Sequence, residues 1–240
     1  MVTHKVQELV FAFPPFRLFF RPAGASTVKK TARGHLASAL DEIADQVWNK
    51  DPAYWKNNER LFHPQTGIVV AYTIENGDPA GFLVYRRYKM RGKEVIYVDG
   101  INFKPEFQNR GHFYSLCQKA FQAESGISGT APLYVVARTR HPGILSILEK
   151  LCDEVAPSAA VSPSLLQTAD EIRHELFPGE HVELPSMIMR DVYAHFNYRK
   201  EPAGEEFRHR HADVFRRLGP RDAYFLVGRA RRGTNQLIHQ

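Results

Sequence analysis

The stretch Glu94–Leu116, EVIYVDGINFKPEFQNRGHFYSL, decides how this sequence folds. Residues 94–103 are rich in β-branched and aromatic side chains, the composition of a strand. From Phe113 the period changes. Phe113, Leu116, Cys117, Ala120 and Phe121 recur at i, i+3, i+4, i+7 and i+8, one face of a helix. Between the two lie Lys104-Pro105-Glu106 and then Gln108-Asn109-Arg110-Gly111-His112 at the helix start. A helix N-terminus carries unpaired N–H groups and a partial positive charge, so it attracts phosphate. Gly111 lets the backbone approach a ligand because it has no Cβ, and Arg110 and Lys104 add charge. The same order also serves a plain strand–loop–helix corner in which glycine only makes the turn, and the residues alone leave both readings open.

Upstream, Leu36, Leu40, Ile43 and Val47 predict an amphipathic helix over 34–48. GIVVAYTI at 67–74 predicts a strand, Asn76-Gly77 a tight hairpin, and AGFLVYRRY at 80–88 the returning strand. Arg91-Gly92 ends it, so the segment at 94–103 completes an antiparallel meander. Downstream come a strand at Leu133–Arg138 and a helix opened by Pro142, with Ile144, Leu148, Leu151 and Cys152 on its buried face. The linker APSAAVSPS leads to Ser162-Pro163, a cap and first-turn pair, and to a helix with Leu165, Leu166, Ala169, Ile172 and Leu176 as its stripe. Residues 182–199 carry no assignable pattern. Phe207, His211, Val214 and Leu218 predict a further helix stopped by Gly219-Pro220, and Ala223–Val227 a last strand. The expected class is α/β, a mixed and mostly antiparallel sheet flanked by helices. Residues 1–155 form its core, and 156–240 a C-terminal helix and strand extension packed on that core.

Composition agrees with a globular chain. Of 240 residues, 43% are hydrophobic and 24% charged. Two cysteines, Cys117 and Cys152, exclude a disulfide scaffold and a cysteine-rich zinc site. Both fall on apolar helix faces, the setting of a packed, unreactive thiol. No apolar run approaches the roughly 18 residues of a membrane span. Glu8, Pro14, Pro15 and Arg17 interrupt the apolar patches of Val6–Phe20, which disfavours a signal peptide, so the expected location is the cytoplasm. The net charge of +6 is concentrated toward the C-terminus, where Arg208–Arg232 holds eight arginines against Asp213 and Asp222. Such a segment suits a solvated helix face, nucleic acid or an acidic carrier protein, but no RNA-binding signature or Cys/His finger accompanies it. His195, His209 and His211 do not make a metal set, because i and i+2 on a helix face apart. No metal is expected, and the absence of a Gly-x-Ser-x-Gly elbow disfavours a serine hydrolase.

The pattern strand–x-Pro-Glu-Phe-Gln-x-Arg-Gly-x-x-x-x-Leu, with this element order from about residue 30 to 155, resembles the acyl-CoA-binding motif of the GNAT superfamily of N-acyltransferases. The family signature Arg/Gln-x-x-Gly-x-Gly/Ala stands here as Gln108-x-x-Gly111-x-Phe113, with Phe113 replacing the last small residue. The resemblance implies acetyl-CoA as acyl donor and an amine-bearing acceptor, a small molecule ahead of a protein, attacking the thioester directly. It implies that backbone groups of Ile101, Asn102 and Phe103 meet the pantetheine arm. The N–H groups of Gln108, Asn109, Arg110, Gly111, His112 and Phe113 would hold the pyrophosphate, and the acyl group would sit between the strands at 94–103 and 133–138.

Family members often take a carboxylate on this strand as general base, and Asp99, in its interior, is the first candidate. Asp99-Gly100 is also a turn signal; a bulge at Gly100 within one continuous strand is the expected form. Tyr97 lies two residues earlier, as a second catalytic candidate or a packed aromatic. The family's acid is a tyrosine in a pattern like Asn-Pro…Tyr-Glu-Lys, which reads His141-Pro142…Leu148-Glu149-Lys150 here. Leu148 takes the tyrosine's seat, so the usual acid is missing. His141 is the alternative proton donor, against a plain helix-capping role. Two other functions remain: a non-catalytic acyl-CoA sensor, motivated by Leu148, and a basic interaction protein using the arginine-rich segment.

Overall fold

The computed structural model describes residues 9–25, 30–49, 53–128, 131–158, 160–193, 197–198 and 215–231. They are organised as two compact units. The class is α/β, with a mixed, mostly antiparallel sheet and flanking helices.

The first unit takes residues up to Arg87, then Val98–Ile127 and His195–Glu201. Its strands are β1 (Leu9–Phe13), β2 (Phe16–Arg21), β4 (Thr66–Thr73), β5 (Pro79–Met90, as far as Arg87) and β6 (Lys93–Phe103, from Val98), laid side by side in that order. β1 and β2 form a hairpin, and β2 runs antiparallel to β4 from Phe16↔Thr73 to Arg21↔Ile68. The two-residue strands β3 (Trp48–Asn49) and β11 (Asn197–Tyr198) pair separately. Two helices cover opposite faces, because side chains alternate along each strand. Helix α1 (Lys30–Val47) lays Leu36, Leu40, Ile43 and Ala44 against Ile68, Val70, Phe82 and Val84, with Trp55 and Leu61 in the same cluster. Helix α2 (His112–Ser128) lies on the other face, where Tyr85 reaches its Glu124 and Phe103 packs on its first turn.

The second unit takes Tyr88–Tyr97, Ser128–Ala194 and Pro202–Gln240. Glu94 N–H donates to the Pro132 carbonyl at 3.1 Å, so β6 and β7 (Leu133–Thr139) start at the same end and run parallel, as a helical crossover requires. Helix α3 (Pro142–Leu151) leads directly into β8 (Cys152–Ala156), and α4 (Pro163–Leu176) into the short strands β9 (Val182–Glu183) and β10 (Ile188–Met189). β12 (Ala223–Ala230) pairs antiparallel with β7 from Tyr224↔Thr139 to Arg229↔Tyr134, and on its other edge with β8 and β10. The last strand thus hydrogen-bonds to β7, which the sequence assigned to the core.

Four expectations need correction. Val6–Phe20, read only as interrupted apolar patches, contains the β1–β2 hairpin with Pro14-Pro15 in its turn. Asn76-Gly77 does not make a two-residue turn. Residues 74–78 form the connection, only Gly77 takes positive φ (+76°), and Asn76 Oδ1 accepts from the Asp78 N–H at 3.2 Å. Cys152 is not on a helix face; it caps α3 in extended conformation and opens β8. The unassigned segment 182–199 supplies β9, β10 and β11, each of two residues and too short to show a period. The helix expected around Phe207, His211 and Val214 lies outside the described residues, as do His195 and His209. Among the described residues, no helix is long and apolar enough to cross a membrane.

Candidate functional site

In the first unit, β6 runs without interruption through Gly100 to Phe103, so Asp99-Gly100 is not a hairpin turn. Gly100 is glycine for a different reason than a turn. A Cβ there would lie 2.8 Å from Trp55 Cζ2 and 3.4 Å from Phe82 Cε2, so the indole occupies the missing side chain's space. Asp99 Oδ1 accepts from Arg86 Nη2 at 3.0 Å, and both side chains are mostly covered.

After Phe103, Pro105–Phe107 form a single 3-10 turn, and the chain then swings through Asn109 (φ +60°) and Gly111 (φ +77°) into α2. Asn109, Arg110 and Gly111 are exposed, and a Cβ on Gly111 would meet nothing within 4 Å. The corner is therefore a left-handed, exposed stretch of backbone at a helix start, the kind of place where N–H groups can meet a strongly anionic group. The Gln108 N–H is not among those groups. It donates to the Pro105 carbonyl at 3.2 Å, while Gln108 Nε2 donates to the Phe103 carbonyl at 2.8 Å, tying loop to strand end. Lys104 turns away from this role too, since its ammonium lies 2.7 Å from Glu42 Oε1 on α1.

Phe113, at the position where the family keeps a small residue, packs edge-on against Phe103 with ring centroids 5.1 Å apart. It joins Phe16, Phe103, Phe107 and His112 in one aromatic group, and the missing Cβ of Gly81 clears the Phe103 ring. The extra bulk is thus taken up by the sheet side of the corner. Burial, and then the Arg110 charge, lower the His112 imidazole below its ordinary value, so the ring at this helix start is neutral near pH 7.

The remaining candidates, Tyr97 and His141, belong to the second unit. Tyr97 is buried, packs edge-on against Phe177, and its hydroxyl accepts from Arg138 Nε at 3.3 Å. His141 is the N-cap of α3: its Nδ1 accepts from the Gly143 N–H at 2.9 Å. With Nδ1 accepting, the neutral ring carries its proton on Nε2. Leu148 is 2% exposed, so the seat of the family's acid is a core position here. Burial pushes both thiols, Cys117 and Cys152, up to about 12 and leaves them protonated.

Three groups of the sequence went unread. Glu124 on α2 is fully buried and accepts from Tyr85 Oη (2.6 Å), the Ala23 N–H (2.9 Å) and Arg87 Nη1 (3.0 Å). Arg138 in the second unit lies over the Phe177 ring at 4.4 Å and reaches Glu180 at 3.0 Å. Trp55 sits on a loop that Asp41 of α1 fastens by accepting the Trp55 and Lys56 N–H groups at 2.9 and 3.1 Å. A charged residue on an otherwise apolar helix face, as Glu124 is among Ala120 and Phe121, was the one signal available.

No family model matches the sequence, and no curated protein matches it. Solved structures do. The ribosomal-protein-S18-alanine N-acetyltransferase of Escherichia coli is similar over 91% of this chain and 97% of its own, at 14% identity and a TM-score of 0.45. The ribosomal-protein-S5-alanine acetyltransferase of Vibrio fischeri is similar over 62% of this chain and 86% of its own, at 13% identity and a TM-score of 0.44. An acetyltransferase of Bacillus subtilis, solved with CoA, covers 90% of this chain and 99% of its own, at 13% identity and a TM-score of 0.43.

Proposed function

We propose that this chain is an acyl-CoA-dependent N-acyltransferase that carries acetyl from acetyl-CoA to a primary amine. The observation that carries the reading is the corner after β6. A strand end, a 3-10 turn and an exposed left-handed Asn109–Gly111 stretch lead into α2, and the sequence Gln108-x-x-Gly111 stands at that place. In this reading the N–H groups from Asn109 to Phe113 hold the pyrophosphate, and the exposed Arg110 adds charge. Backbone groups of Ile101, Asn102 and Phe103 align the pantetheine arm.

The amine nitrogen attacks the thioester carbonyl, the C–S bond breaks, and the amine's surplus proton passes to Asp99 directly or through a water molecule. Arg86 holds the Asp99 carboxylate by one oxygen and leaves the other for that proton. The leaving thiolate needs little help, since an ordinary thiol loses its proton near pH 8.5. That fits a chain with Leu148 where the family has a hydroxyl. His141, engaged as an N-cap, is then a structural residue. The acceptor is a small amine ahead of a protein amine, and the expected location is the cytoplasm.

The buried Leu148 favours one second reading, an acyl-CoA-binding module without turnover. Calorimetry with acetyl-CoA on the wild type, Gly111→Ala and Gly111→Trp tests the site. Alanine strains the positive φ without reaching far, whereas tryptophan fills the open approach. Gly111→Trp should lose acetyl-CoA binding and Gly111→Ala weaken it less. A folded Gly111→Trp variant with wild-type affinity overturns the placement. Turnover with an amine library then separates enzyme from module.

A further inference from the structure

Among the buried N–H donors of the first unit that find no partner in the described residues are Asn102 Nδ2 on β6 and Trp55 Nε1 on the loop after α1. Asn102 is 4% exposed and Trp55 1%. An unmet donor at such depth is destabilising, and folded chains keep few of them.

The two lie on one side of the sheet. Phe103 turns its ring toward α2, onto His112 and Phe113. Asn102, one residue back, therefore turns the other way, as does Gly100 two residues further back. That is the side on which Gly100 makes room for Trp55 Cζ2, two bonds from the indole nitrogen. The indole is held firmly there. Asp41 fastens its backbone, Phe82 packs edge-on at 5.4 Å between centroids, and Tyr54 does so at 5.1 Å. A rigid indole N–H and a buried carboxamide thus border the same stretch of β6.

The chemistry they ask for is narrow. Both are donors without charge, and a carbonyl oxygen with two lone pairs accepts two such bonds. The nearby cations on these strands are already engaged, Arg86 by Asp99 and Lys104 by Glu42. An anion brought here would be desolvated without a countercharge, which disfavours a carboxylate or phosphate. We infer that Asn102 and Trp55 form a subsite for the neutral carbonyl oxygen of an amide. Two sources offer that group, an amide in the acceptor next to its amine and the amides of the donor's pantetheine arm; the second rests on the transferase reading, the first does not.

The full chain, labelled with 15N-tryptophan, gives two indole signals, from Trp48 and Trp55, which a Trp48→Phe variant assigns. Glycylglycinamide and coenzyme A are titrated separately, with n-butylamine as an amine that lacks a carbonyl. The Trp55 indole proton should move downfield with one of the two amides and stay with butylamine; which amide moves it names the source. Asn102→Asp, which keeps the shape but loses the N–H, and Trp55→Phe should each weaken that ligand about ten-fold, the worth of one hydrogen bond. Asn102→Leu should do the same without lowering the melting temperature, since no bond is lost. A Trp55 signal that neither amide moves at saturation, or that butylamine moves equally, overturns the subsite and leaves the donors to buried water. Calorimetry on the same samples keeps the two ideas apart. Coenzyme binding with a still indole overturns only the subsite. A moving indole under glycylglycinamide without coenzyme binding overturns only the transferase reading.

Discussion

Gly100 in β6 and Gly228 in β12 are both strand glycines whose space a neighbour needs, yet their surroundings differ. At Gly228 a Cβ would lie 2.5 Å from Cys152 Sγ and 3.5 Å from Val155 Cγ2. The residues about it, Leu226, Val227, Val135 and Val136, are apolar and buried, and burial keeps the thiol protonated. At Gly100 the neighbour is an indole whose N–H finds no partner among the described residues, and the same holds for Asn102 Nδ2 on the same face. Close packing occurs in both places and so does not mark function. What separates them is the state of the nearest polar atoms: the Gly228 site packs on a protonated thiol and apolar side chains, whereas beside Gly100 two buried donors find no partner among the described residues.

The largest effect that bears on this contrast is expected at Asp99, beside Gly100. Asp99→Asn should lower acetyl transfer by about 10²–10⁴-fold, the usual worth of a general base, while acetyl-CoA affinity measured by calorimetry is kept. Normal turnover at every pH would remove Asp99 from the mechanism. Next come the glycines themselves. Gly228→Ala and Gly100→Ala should each cost about 1–3 kcal/mol in urea denaturation, the range for overpacking a filled site. Only Gly100→Ala should also change turnover per folded molecule. Adding Cys152→Ala to Gly228→Ala should recover part of the loss, because the clashing sulfur is gone. If Gly228→Ala slows turnover more than Gly100→Ala does, the contrast fails.

A smaller effect is expected at His141. His141→Ala should cost about 1 kcal/mol of stability through the lost N-cap, with turnover unchanged once folded protein is equalised. A rate loss beyond that would make His141 the proton donor after all. The smallest effect concerns acid. Burial alone raises the Asp222 carboxyl, but the Gly219 and Asp191 N–H groups and the Arg190 guanidinium outweigh it and hold it below its ordinary 3.8. A carboxyl lowered by folding adds stability above its unfolded value and loses it as pH falls through the folded one. Thermal melts below about pH 4 should therefore show wild type losing stability more steeply than Asp222→Asn. Parallel acid limbs would mean that the bonds drawn to Asp222 hold no net preference for its charged form.

Much of the fold was readable because its signals are short-ranged. The stripe Leu36, Leu40, Ile43, Val47 does line α1's buried face, and Pro142 and Pro163 do open α3 and α4. Ser162 caps α4 by accepting the Leu165 N–H at 3.2 Å. Such features depend on residues three or four positions apart, and any copy of the segment carries them. The corner from Phe103 to Gly111 was readable for the same reason. At Asp99-Gly100 a neighbour from elsewhere goes with the overruled turn signal: Trp55 fills the space over Gly100.

By itself, then, the sequence determined the α/β class, the order of most elements and the place of a glycine-bearing corner at a helix start. Tertiary structure alone decided which polar groups are finished. Glu124 meets the Ala23 N–H across 101 residues and Tyr85 across 39, and Asp41 fastens Trp55 across 14. Whether a buried donor has a partner depends on which distant strands and helices close over it, and no local period encodes that. Asn102 reads in the sequence as one more strand residue. Only the folded sheet turns it away from α2, onto the side where Trp55 lies, with its Nδ2 unmet among the described residues.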